Sequence, residues 1–302
     1  ERLGPDTAWE LDESPVTGEL WAAACVVAAR ARVVAVEDTC TLAFYDEFKH
    51  QLAAHSVAPA TPRLHGDLVN IRAVKDAEEI DLMRQAQKIT DDAFTHICGY
   101  IKPGMTEQEI RAELENYMLS NGASALSFGS IIASGPNGAN PHAQPGPRPV
   151  QEGDMIVMDY GCCVADYHSD MTRTVCLGEP SEEQRHVYDV VRRAHEECAA
   201  MARAGVIGKD VYDHSVKVIS DAGYGDFYKH GLGHGVGVEI HEGPNFNRRN
   251  LEPIPAGAGM TIGAGIYLPG KFGIRLEDFG VVTEDGYEPF TESTHDLVVI
   301  PC

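Results

Sequence analysis

Four stretches of this chain place side chains where they could do hydrolytic or metal chemistry. Asp159 ends the apolar run Met155-Ile-Val-Met-Asp159-Tyr-Gly161, and Asp170 follows eleven residues later in His168-Ser-Asp170-Met-Thr-Arg173. A carboxylate beside buried apolar residues is costly unless something compensates it. A bend near Gly161 would bring both carboxylates to one place, although with 46 Asp and Glu in the chain such pairs also arise by chance. The second stretch is His230-Gly-Leu-Gly-His234-Gly-Val-Gly-Val-Glu-Ile-His241. Its interleaved glycines disfavour a helix, so this is not the H-E-x-x-H arrangement of helical zinc sites, and they let the backbone approach a ligand closely. The third is Gly273-Ile-Arg275-Leu-Glu277-Asp278, where a strand would put Arg275 and Glu277 on one face. Alone, that is an ordinary surface ion pair. The fourth is Pro141-His142, in a loop rich in Gly, Pro and Asn; alone, His142 is a solvated loop histidine.

The elements that must carry these residues are legible from periodicity and caps. Asp76 with Glu79 predicts a helix start, followed by Ile80, Met83, Ala86, Ile89, Ala93 and Ile97 on one apolar face. After Pro103-Gly104, Thr106 with Glu109 starts a second helix that stops at Asn121-Gly122. The pattern returns about one hundred residues on. Ser181 with Gln184 caps a helix carrying Val187, Val190, Val191, Ala194 and Cys198; a break at Gly205 leads to a helix ending near Gly223. Gly104, Ile110, Tyr117, Met118 and Gly122 align with Gly205, Val211, Val218, Ile219 and Gly223 at one constant offset. Each helix pair precedes β-like segments, including residues 127–135 and 155–161, so two α/β halves related by duplication are expected. Ahead of them, residues 1–72 read as strand and helix material, with a short buried strand at 33–37 and an amphipathic helix at 43–53.

Bulk composition narrows the function. The formal net charge is -22, with 46 acids against 24 bases. Such a chain is repelled by phosphate backbones and anionic bilayers, which argues against nucleic acid and membrane partners. No apolar run is long enough to span a bilayer, and no signal peptide is legible. Eight scattered cysteines form no C-x-x-C pair, and the adjacent Cys162 and Cys163 would point to opposite faces of a strand. Reduced thiols in a cytoplasm are the natural expectation.

In order and spacing, Asp159, Asp170, His234 and Glu277, with His142, His230 and His241 around them, resemble the pita-bread metallopeptidases. That family includes aminopeptidase P, prolidase, methionine aminopeptidase and the metal-free creatinase. The likeness runs from about Val74 to the C-terminus and includes Arg72-Ala-Val-Lys-Asp-Ala-Glu-Glu-Ile80 and Pro269-Gly-Lys-Phe-Gly-Ile-Arg-Leu-Glu-Asp278. The resemblance implies an α+β pita-bread (creatinase/aminopeptidase) fold with internal duplication over residues 73–302. It also implies a partial, small α/β N-terminal domain over residues 1–72, begun partway through. It implies two divalent ions, Mn²⁺ first, with Zn²⁺ or Co²⁺ as substitutes, since an oxygen-rich donor set suits them. Asp159 would bind one ion, Asp170 and Glu277 would bridge both, and His234 would ligate the other. His241 would help stabilise the tetrahedral intermediate, His142 and His230 would contact substrate or order the outer shell, and Arg275 would stand beside the bridging carboxylate. The implied partner is a proline-containing peptide, and the implied assembly a homodimer.

One family residue is missing. The family places a Glu in an E-P-G-I-Y type segment, as a metal ligand that also helps take the proton of the attacking water. Here the stretch reads Gly259-Met-Thr-Ile-Gly263-Ala-Gly-Ile-Tyr267, two residues shorter, with Gly263-Ala264 where Glu-Pro would stand. There is no Glu between Glu252 and Glu277. The metal site near His234 is therefore expected to be weakened. The first expectation is a metal-dependent exopeptidase cleaving Xaa-Pro bonds, of aminopeptidase P or prolidase type, impaired by that loss. The alternative is a catalytically silent binding protein on the same fold.

Overall fold

A computed structural model describes residues 18–64 and 66–302. By compactness the chain divides into two units, Glu1–Leu68 and Val69–Cys302. In the first, helices α1 (Gly18–Ala29) and α2 (Leu42–Ala54) pack through Ala23, Val26, Phe48 and Leu52. Thr41 caps α2 by accepting from the Phe44 amide, the expected helix at 43–53. The expected buried strand at 33–37 does not form. Val33 and Val36 make single parallel bridges to Ala60 and Arg63, and Val33 is 62% exposed. Only one face of the run finds a layer: Val34 packs on the α1–α2 cluster, while Val33 and Ala35 on the other face stay exposed. Residues 1–17 of that N-terminal stretch lie outside the described residues.

After α3 (Asp67–Ala73), the larger unit runs through α4 (Ala77–Tyr100) and α5 (Glu107–Ser120), then six strands, then α6 (Glu182–Met201) and α7 (Gly208–Asp221), then six more strands. The first six are β1 (Ala125–Leu126), β2 (Ile131–Ser134), β3 (Met155–Tyr160), β4 (Cys162–Val164), β5 (Tyr167–His168) and β6 (Met171–Leu177). The rest are β7 (Gly233–Gly235), β8 (Glu242–Phe246), β9 (Gly259–Leu268), β10 (Phe272–Val282), β11 (Tyr287–Pro289) and β12 (Val299–Ile300). The large sheet has the order β2-β3-β6-β10-β9-β7-β8, with β11 on β10 and β12 parallel to β6.

All three capping boxes expected from sequence are present, at Asp76, Thr106 and Ser181. The duplication is visible in backbone geometry. Gly104 and Gly205 both sit at positive φ, +88° and +82°, and donate to the carbonyls of Val150 and Ile254. One residue on, the Met105 and Val206 carbonyls accept from the Val150 and Ile254 amides. The turn inside each helix pair is therefore tied by the same two bonds to the segment that leads into β3 or β9.

The strand period of two assigns the faces. Met260, Ile262, Ala264, Ile266 and Leu268 of β9, with Ile274 and Leu276 of β10, pack under α6 and α7. Ile156, Met158 and Tyr160 of β3, with Met171 and Val175 of β6, pack under α4 and α5. Each fully buried aliphatic side chain there contributes about 1.5–3 kcal/mol. The intervening residues, Asp159, Thr172, Gly263, Arg275 and Glu277, are left on the other face. That alternation builds the site.

Candidate metal centre and active site

Hairpin geometry brings the first two carboxylates together. β3 and β6 pair antiparallel with Asp159 opposite Thr172, so Asp170 enters just ahead of the ladder. Residues 161–169 between them fold into a second small hairpin of β4 and β5, turning at Ala165 and Asp166, both at positive φ as a two-residue primed turn requires. β10 then lies against β6 with Glu277 opposite Thr172, and β9 lies against β10. His234 arrives on β7, beside β9. A Cβ at Gly233 would stand 1.9 Å from the Thr261 carbonyl oxygen, so only glycine lets β7 come this close.

All eight residues singled out in the sequence line one cavity of about 390 Å³: His142, Asp159, Asp170, His230, His234, His241, Arg275 and Glu277. Asp170, His234 and Glu277 form the tight group, with one donor atom from each within 4.8 Å of the others. His234 donates from Nδ1–H to the Gly235 carbonyl at 3.1 Å, which leaves Nε2 facing Asp170 Oδ2 at 3.4 Å. A backbone bond that fixes the tautomer in this way is the usual arrangement behind a metal-ligating imidazole. Asp159 is not in that tight group; its Oδ2 accepts from the guanidinium of Arg275. Arg275 also donates to Thr172 Oγ1 at 2.9 Å and to the Tyr267 hydroxyl at 3.0 Å, and that hydroxyl meets His230 Nε2 at 2.8 Å. Thr172 donates to Glu277 Oε2 at 3.0 Å. The His241 ring lies against His234, centroids 4.4 Å apart.

Thr172 and Tyr267 join the site without having been singled out for roles. Thr172 had a signal, standing two residues after Asp170 and so on its face of a strand. Tyr267 had none beyond its place in the Gly-Ile-Tyr segment.

The electrostatics describe a site built for cations. Asp159 Oδ1 and Asp170 Oδ1 are buried with no hydrogen-bond partner. Buried carboxylate oxygens without partners are costly, and a bound cation satisfies them. Burial first, then the charge of Glu277, pushes Asp170 up to about 8; burial likewise raises Asp159 despite Arg275 beside it. Burial opposes the charge on His234, but the hydrogen bond and charge of Asp170, then the charge of Glu277, outweigh it and raise the imidazole. Burial also opposes ionisation of Glu277, yet His234, Arg275 and the Thr172 hydroxyl hold it below the ordinary range. The donor set of carboxylates and one imidazole fits a divalent ion such as Mn²⁺. Burial, then Arg275, pushes His230 down to about 4, so it stands neutral.

Gly263 stands opposite Glu277 in an unbroken ladder of ten β9–β10 pairs. A Cβ there would lie 2.9 Å from Glu277 Oε1, so a side chain at this position would enter the cluster. The β9–β10 register is regular on both sides of this position.

A duplicated α+β fold with a carboxylate–histidine cluster on its sheet defines the pita-bread class of proteins. Residues 81–284 match metallopeptidase family M24, and the chain belongs to that family. The Xaa-Pro dipeptidase of Pyrococcus furiosus is 34% identical over 263 residues, 87% of this chain and 74% of that protein. An uncharacterized peptidase of Bacillus subtilis is 38% identical over 230 residues, 76% of this chain. The match spans 65% of the length of that relative. Among solved structures, the X-Pro aminopeptidase of Thermotoga maritima superposes with a TM-score of 0.89 at 35% identity, over 97% of this chain and 83% of that one. The prolidase of Pyrococcus furiosus gives 0.83 at 33% identity, over 87% and 77%.

Proposed function

We propose that this protein is a metal-dependent exopeptidase of the Xaa-Pro class, of prolidase or aminopeptidase P type, with its chemistry weakened at Gly263. The observation that carries the reading is the convergence of Asp170, His234 and Glu277 donor atoms within 4.8 Å in the cavity of a family M24 chain. Asp159, Asp170 and Glu277 would hold one ion, and Asp170, His234 and Glu277 a second. When bound, such ions supply a Lewis acid and an acidified water.

The chain's own residues do the rest. Arg275 pins Asp159 and leaves its Oδ1 free. Thr172 holds Glu277 from one side. His241, edge-on to the His234 ring and lining the cavity, is placed to donate a proton to oxygen charge that develops on the substrate. His142, on the rim, contacts the peptide, while His230, fixed by the Tyr267 hydroxyl, orders the floor. Phe128, Ile131 and Pro141 offer an apolar wall that suits a pyrrolidine ring. The N-terminal unit would be a creatinase-like domain. A homodimer and a cytoplasmic setting belong to the same reading. Among the described residues no helix is long and apolar enough to cross a membrane.

Gly263 favours a second reading, a catalytically silent binding protein on this fold, because no side chain there can ligate metal or take a proton. Elemental analysis after Mn²⁺ loading, with assays on an Xaa-Pro dipeptide and a longer Xaa-Pro peptide, separates the two. Bound Mn²⁺ with measurable release of the Xaa residue supports the peptidase; substrate binding without turnover supports the silent protein.

A further inference from the structure

A second cluster of metal-ligating side chains lies on the opposite face of β10. Asp278 follows Glu277 and therefore points into the helix layer, where it is 3% exposed. There it meets His195 of α6 and His295 of the C-terminal segment. His195 Nε2 is 3.1 Å and His295 Nε2 2.8 Å from the same oxygen, Asp278 Oδ2. The two rings stand edge to face, with centroids 4.8 Å apart. One donor atom from each of the three residues falls within 4.8 Å of the others.

We propose that His195, Asp278 and His295 form a separate zinc-type site that ties α6, β10 and the C-terminal segment together. Two imidazole nitrogens and one carboxylate oxygen suit a borderline ion such as Zn²⁺ better than the oxygen-rich cluster across the sheet does. The N···O separations of 3.1 and 2.8 Å are hydrogen-bond lengths here, and they would open to the edge of about 3.3 Å that a tetrahedral zinc imposes on its ligands. The surroundings are built. Arg173, 1% exposed, holds Asp278 Oδ1 at 2.7 Å and also donates to the carbonyls of Ser293 and Thr294, which sets the segment bearing His295. Tyr188 donates to the His295 carbonyl at 3.1 Å. His295 Nδ1 faces Glu196 Oε1 at 3.6 Å, a carboxylate that favours the tautomer with Nε2 free to ligate. His195 is fully buried and its Nδ1 has no partner, so the pocket is closed on the inside. The His295 side chain is 31% exposed, which gives an ion and its fourth ligand, a water, a way in from the surface.

The experiment counts zinc after stripping with chelator, reloading and desalting, in the parent, in His295→Ala and in His295→Cys. The alanine variant keeps the backbone carbonyl that Tyr188 grips and the Arg173–Asp278 pair, so the local fold stands. Expected is about one equivalent less zinc in His295→Ala than in the parent, with the equivalent restored in His295→Cys, since a thiolate is also a zinc ligand. The same comparison in an Asp170→Asn background, which removes the first centre, should show the same difference. That background separates failure here from failure of the peptidase reading. Equal zinc in the parent and His295→Ala, in whichever background folds, overturns the proposal. So does an equivalent that is lost in alanine but not regained in cysteine.

Discussion

Restoring a carboxylate at position 263 is the sharpest test of the peptidase reading. In the ten-pair ladder Gly263 faces Glu277, so Gly263→Glu alone places the side chain in the cluster with no rebuilding of the backbone. The obstacle is local. The new Cβ would meet Glu277 Oε1 and Cδ at 2.9 Å, against an ordinary contact of 3.4 Å or more, and Glu277 must swing toward the cavity. Crowding of this kind costs about 1–3 kcal/mol in the metal-free protein. A fourth carboxylate beside Asp159, Asp170 and Glu277 adds repulsion until cations arrive. The metal-free variant should therefore melt below the parent. Mn²⁺ at about 100 times its Kd should return about 2.7 kcal/mol, so the two melting curves should converge or cross on loading. A missing general base typically costs about 10²–10⁴ in rate, or about 2.7–5.4 kcal/mol of barrier. The gain in kcat/KM on an Xaa-Pro dipeptide with Mn²⁺ should fall in that range. Isothermal titration with Mn²⁺ gives a readout independent of turnover, and should show tighter binding in the variant. A folded Gly263→Glu protein with neither tighter Mn²⁺ binding nor faster hydrolysis would refute the argument from the missing carboxylate.

Further outcomes are expected at three other residues. Asp170→Asn should lose bound Mn²⁺ and the thermal stabilisation that Mn²⁺ gives; unchanged occupancy by elemental analysis would remove Asp170 from the centre. His241→Ala, in the Gly263→Glu background, should lower kcat about 100-fold while metal content stays at the parent level, and a loss of metal would make His241 a ligand instead. Glu242→Ala should cost about 3–5 kcal/mol in urea unfolding, because it strands Lys75, whose side chain is 2% exposed at 3.2 Å from the Glu242 carboxylate; a cost below 1 kcal/mol would contradict this. Burial opposes the charge on Glu242, but Arg72 and Lys75 outweigh it and hold the carboxyl below its ordinary range. Its stabilisation is thus complete above the unfolded carboxylate pKa and lost as pH falls through the lower folded value. Glu242→Gln should flatten that acid limb in melting curves taken against pH.

Local chemistry carried far in this chain, and the reasons are physical. Asp76, Thr106 and Ser181 cap helices through bonds made within three residues, so their meaning is present in the sequence before anything packs. The repeat at Gly104 and Gly205 is likewise local, since a positive φ favours glycine wherever the chain must turn that way. The donor types and order of Asp159, Asp170, His234 and Glu277 identify a family, although residues 118 positions apart had to be assumed neighbours. Tertiary structure decided what depends on register and on partners. Residues 33–37 are as apolar as a strand needs, yet they find only single bridges, and burial is a property of the partner as much as of the segment. Which residue Gly263 faces depends on strand register, and pairing with β10 sets it opposite Glu277. Alternation along β10 sends Glu277 to one face and Asp278 to the other. Which face carries two histidines was settled only when α6 and the C-terminal segment were laid against it, because contacts 83 and 17 residues apart leave no periodic trace in a sequence.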